Sequence, residues 1–94
     1  MTPLGRYAAL LRSLPDKPVL HPTQPVLVPL SEHIGAPAGL SVNAVTLVEW
    51  GVKAGKISAS IQWKLRETFT AWEKDKPTRT QVATFMDWLD GNLK

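Results

Sequence analysis

With 94 residues, 44% of them hydrophobic, the chain holds one domain at most, built on a modest core. It has no cysteine, which excludes disulfides, cysteine–zinc sites and thiol nucleophiles and fits a reducing compartment; a second copy or a partner is then a source of extra stability. A net charge of +3 permits nucleic-acid binding without demanding it, no apolar run approaches the ~20 residues of a membrane span, and the N-terminus lacks the pattern of a signal peptide, so the cytoplasm is the expected location.

Residues 2–14 are expected to form a helix. Thr2 can cap it, Pro3 suits the first helical position, and Leu4, Tyr7, Leu11 and Leu14 recur at spacings of three and four. Pro15 stops it. The segment 15–29, PDKPVLHPTQPVLVP, carries five prolines and is expected to be extended, packed by Val19, Leu20, Val26, Leu27 and Val28. It is either a tether along the domain surface or a proline-rich ligand for a partner.

A short helix over 31–37, capped by Ser31, is expected next. A second covers 41–53, with Ser41 as its cap and Val45, Leu47, Val48 and Val52 as its buried side; Gly51 weakens its end and Gly55 terminates it. Residues 57–72 are open to two assignments. As a helix, Ile57, Ile61, Leu65, Phe69 and Trp72 make a stripe from which Trp63 falls away. As a β-hairpin over 57–71, Ile61, Trp63 and Leu65 alternate with polar residues, but LRET lacks the usual glycine or asparagine turn. The last helix starts at a capping box, Thr78 with Gln81, buries Val82, Phe85, Met86 and Leu89, and closes at Gly91. The expected fold is therefore mainly α.

Residues 34–48 carry the pattern of a helix-turn-helix. Ile34 and Ala38 are the apolar pair of the first helix, Gly35 the small crossing residue, Gly39 the turn residue at positive φ, Leu40 the apolar residue after it, and Val45 with Val48 the pair that pins the second helix. The stretch GLSVNAVTLVEWGVKAGKISA resembles the small winged helix-turn-helix proteins of the excisionase and MerR-like kind, over roughly residues 30–60. Pro37 inside the first helix and the lack of a glycine-arginine wing turn depart from that pattern.

The resemblance implies a sequence-specific DNA-binding protein, a repressor or excisionase-like factor of a phage or other mobile element. Helix 41–53 would then enter the major groove, with Ser41, Asn43, Thr46 and Trp50, and also Leu47, toward the bases. Asn43 could pair with adenine and Thr46 could contact a thymine methyl. Lys53, Lys56, Lys64 and Arg66, with no acid between Glu49 and Glu67, would hold phosphates. The alternative for these cations is a solvated face, and the alternative for the chain is a non-catalytic protein-binding module, an inhibitor or adaptor, which four tryptophans suit.

Residues 26–38, VLVPLSEHIGAPA, also resemble the stretch opening the barrel-like domain of the C subunit of Rnf-type ferredoxin-NAD oxidoreductases, and GVKAGKISA the hairpin after it. Without cluster cysteines, a flavin site or a glycine-rich nucleotide loop, that resemblance implies a related structural module. No catalytic residue, cofactor or metal is expected: His21 and His33 stand apart from other ligands, and Asp87 and Asp90 suit a solvated face.

Overall fold

The computed structural model describes residues 2–19, 23–37, 39, 40 and 43–93, with the backbone alone for residues 23–25. Among them are five helices and no strand: α1 (Pro3–Arg12), α2 (Thr23–Ile34), α3 (Ala44–Lys53), α4 (Ala59–Lys74) and α5 (Arg79–Asn92). α1 lies between α5 and α2, α2 continues to α3, and α3 packs on α4.

The Thr2 hydroxyl accepts the Gly5 N–H at 3.1 Å and starts α1, with proline in the first turn. Leu4, Ala8 and Leu11 form its buried face. The helix stops at Arg12, so Leu14 lies beyond it and is 42% exposed rather than part of the stripe.

The proline-rich segment divides in two. Residues 15–19 are extended and strap onto the start of α5. Val19 N–H donates to the Pro77 carbonyl at 2.8 Å, Arg79 N–H to the Lys17 carbonyl at 3.1 Å, and Arg79 Nη1 to the Pro15 carbonyl at 2.7 Å. From Thr23 onward the chain is helical, against the expectation of an extended run to 29. Pro25 falls in the first turn, where an N–H has no intrahelical partner anyway. Pro29 is interior and costs about 3 kcal/mol. Val26, Leu27, Leu30 and Ile34 decide the outcome: a helix brings all four inside, each 3% exposed or less. Each burial is worth roughly 1.5–3 kcal/mol, and together they exceed the proline penalty.

The expected helix over 31–37 is thus the last turn of α2. Ser31 is not its cap; its hydroxyl donates back to the Val28 carbonyl at 2.8 Å. Gly35 is not a crossing residue inside a helix. At φ +71° it ends α2, with Ala36 N–H donating to the Ser31 carbonyl at 2.9 Å and Gly35 N–H to that of Glu32 at 3.3 Å. Residues 35–43 then join α2 to α3, a longer connection than the three or four residues of a helix-turn-helix turn. Gly39, at φ +97°, has the left-handed backbone expected of it.

Asn43, not Ser41, caps α3: its Oδ1 accepts the Thr46 N–H at 3.1 Å. Leu47, Val48 and Gly51 are the buried side, and Val45 is 55% exposed, so it does not pin the helix. Residues 59–74 are one continuous helix, and the hairpin wing over 57–71 is not formed. The Ser58 hydroxyl caps it, Leu65 and Phe69 are buried, and Ile57 is buried just before its start. α5 carries the expected box, with Gln81 N–H donating to Thr78 Oγ1 at 3.3 Å and Thr78 N–H to Gln81 Oε1 at 2.8 Å. It runs through Gly91 to Asn92 rather than closing at the glycine. One core joins side chains from all five helices. Phe69 and Trp72 of α4 meet Phe85 of α5 edge-on at 6.1 and 5.2 Å.

Candidate functional site

α3 turns Leu47, Val48 and Gly51 inward, so its outer side carries Thr46, Glu49 and Lys53. All three are exposed, as are Asn43 at the head of the helix and Lys56 beyond its end. Trp50 is half-buried against the core, and Leu47 lies wholly within it. Ser41 lies outside the described residues, as do Ala38 and His21. Asn43 uses its amide oxygen to cap α3. The exposed side thus brings Asn43, Thr46 and Lys53 to one helix, with a carboxylate among them.

The four expected phosphate contacts do not form one strip. Lys64 and Arg66, two positions apart on α4, diverge by roughly 200° around the helix axis. Lys64 projects into solvent. Arg66 turns toward α3, where Nη2 comes 3.7 Å from Glu49 Oε1. Its guanidinium carbon also sits 5.9 Å from the centre of the Trp63 ring, and its Nε is buried with no protein hydrogen-bond partner among the described residues.

Between α3 and α4 opens a cleft of about 230 Å³, lined chiefly by Val45, Val48 and Phe69, with Arg66, Thr70 and Glu73 at its edge. Trp63 stands beside it, 67% exposed, above a shallower groove that shares the Arg66 and Thr70 walls. Val45 extends the apolar surface on the α3 side. Sequence offers Trp63 to a protein contact only as one of four tryptophans, and reads Val45 as core. The signal for Trp63 was its position off the stripe Ile57, Ile61, Leu65, Phe69 and Trp72, decisive only once the segment is a helix. For Val45 there was no signal, since a valine at helical spacing is ordinarily core.

Away from this face, Thr2 Oγ1 donates to Asp90 Oδ1 at 2.6 Å, and His33 Nδ1 lies 3.9 Å from the same oxygen, too far for a hydrogen bond. Asp16 Oδ1 accepts the Thr80 N–H at 3.1 Å at the start of α5. That backbone donor holds the Asp16 carboxyl below the usual aspartate value; desolvation opposes it, and the Thr80 and Thr78 side chains and the Arg79 charge add to the lowering. Among the described residues no three His, Asp or Glu side chains gather as a metal site. No helix there is long and apolar enough to cross a membrane. No family model, curated protein or solved structure matches the chain.

Proposed function

We propose that this chain is a non-catalytic protein-binding module whose contact surface is the face shared by α3 and α4. The observation that carries the reading is Trp63, 67% exposed beside the apolar cleft and flanked by Arg66. A single exposed apolar side chain is ordinary on a soluble protein. Trp63 is not single: the cleft and Val45 continue its apolar surface. Tryptophan and arginine are the residue types that most often dominate protein interfaces, because a large ring or a planar cation gains much from losing water.

Selection of helix-forming peptides from a random library tests this. Enriched peptides should lose about tenfold or more in affinity on Trp63→Ala or Val45→Asp, and little on Lys56→Ala. A library that yields no binder, or binders indifferent to both changes, counts against the reading.

Recognition of double-stranded DNA by α3, as a repressor or excisionase-like factor with a helix-turn-helix, is a second reading. It is favoured by Thr46 and Lys53 sharing the exposed side of that helix, with Lys56 beyond its end. Against it stand Glu49 between those residues and the diversion of Arg66 to that carboxylate. On this reading, affinity for random duplex falls by about 0.9 log units per phosphate contact for each log unit of salt, and Lys53→Ala flattens the slope by about one. Absence of binding to any duplex at low salt removes it.

A further inference from the structure

The outer side of α4 has an order of residues that suits a copy of itself. Trp63, Glu67, Thr70 and Lys74 follow one another at spacings of four, three and four, and all are exposed. At 100° per residue they fall within roughly 60° of each other, a single seam along the helix. The spacing is the same from either end. A two-fold axis between Glu67 and Thr70 therefore lays the seam on itself, with Trp63 opposite Lys74 of the second copy and Glu67 opposite its Thr70.

The charges select this orientation. A parallel pair would place Lys74 on Lys74 and Glu67 on Glu67. The antiparallel pair instead brings each ammonium to the open face of an indole, one helical turn from Glu67. Arg66 lies over the Trp63 ring at 5.9 Å within the chain, an arrangement of cation and ring that the second copy's Lys74 repeats. Thr70 and Ala71, small and exposed, leave the space beside Trp63 that forms the shallow groove.

We propose that the chain pairs with a second copy through antiparallel contact of its α4 seams. This rests on the reading of Trp63 as a protein-contact residue and names a partner for the outer side of α4. The pair is isologous and therefore closed at two copies.

Sedimentation over a dilution series tests it, with far-UV circular dichroism to check that each variant is folded. The unaltered chain is expected to shift from dimer to monomer on dilution. Trp63→Ala and Lys74→Glu should each weaken the dimer about tenfold or more at unchanged helix content. Lys74→Glu carries the test alone if Trp63→Ala does not fold, because Lys74 lies on the exposed seam. Lys74→Arg keeps a cation over the indole and should hold the dimer within about threefold of the unaltered chain. A monomer at every concentration, a dimer indifferent to both Trp63→Ala and Lys74→Glu, or a dimer lost on Lys74→Arg overturns the proposal. Peptide binding lost on Trp63→Ala in a chain that is always monomeric overturns the self-pairing and leaves the binding-module reading standing.

Discussion

A Cβ at position 51 would meet the Ile57 side chain, with Cγ1 at 2.8 Å, and Ile34 Cδ1 at 3.3 Å. Gly51 is where the residue leading into α4 and the last residue of α2 both rest on α3. Gly51→Ala gains about 1 kcal/mol of helix propensity. It forces a buried isoleucine aside, at about 1–3 kcal/mol. We expect a net loss of stability, measured by urea unfolding, and a net gain would show that Ile57 moves freely. Sequence marks Gly51 only as a weak helix position, because a close approach from residues far along the chain leaves no trace in local pattern. Asn43 carries a similar lesson. As an exposed polar residue it invited a base contact, but its amide oxygen holds the Thr46 N–H. Asn43→Ala should therefore cost about 1 kcal/mol whether or not DNA is present. A variant with unchanged unfolding midpoint would mean the cap contributes nothing.

Among the elements, α5 was the most legible and α2 the least, for opposite reasons. The start of α5 is written in two residues three apart, Thr78 and Gln81, which satisfy each other's backbone groups. α2 hides behind prolines. Local rules charge Pro29 its full cost, whereas the compensating burial of Val26, Leu27, Leu30 and Ile34 exists only once other helices surround them. The strap at 15–19 adds a pH dependence to the start of α5. Asp16 has a folded value below its ordinary 3.8, so its contribution is present above that unfolded value and is lost as pH falls through the folded one. Asp16→Asn should lower stability at neutral pH and flatten its fall with acid. Acid titration of both chains by circular dichroism checks this, and parallel curves would show the contact to be idle. On α4, periodicity left helix and hairpin level. The helix prevails because it buries Leu65 and Phe69 together with Ile57, while a hairpin had no turn residue to make.

Across the whole molecule, the core residues were largely legible and the arrangement was not. Leu4, Leu11, Val48, Leu65, Phe69 and Leu89 all lie inside, as their helical spacing implies. Which helix meets which is set by long-range complementarity. The face with Trp63 and the cleft arises only from the placement of α3 beside α4. A domain of this size has little stability to spare, typically 5–15 kcal/mol. Leu4→Ala, at a fully buried position between helices, should remove about 2–5 kcal/mol of it. A loss under 1 kcal/mol in denaturant unfolding would show that α1 contributes little to the core.

Thr2 stands at the head of that same helix, capping α1 while donating to Asp90, a partner 88 positions along the chain. Arg12 at the other end of α1 is paired with Asp87. The first of the five described helices in chain order is thus completed by the last. During synthesis α1 can meet α2 but lacks its larger partner until residues 79–92 emerge, which at about 5–20 residues per second leaves that side exposed for several seconds. So high a sequence separation also slows folding below what helical content alone suggests. Nascent chains stalled before α5 should therefore be cut by protease within α1, and chains released after it should resist.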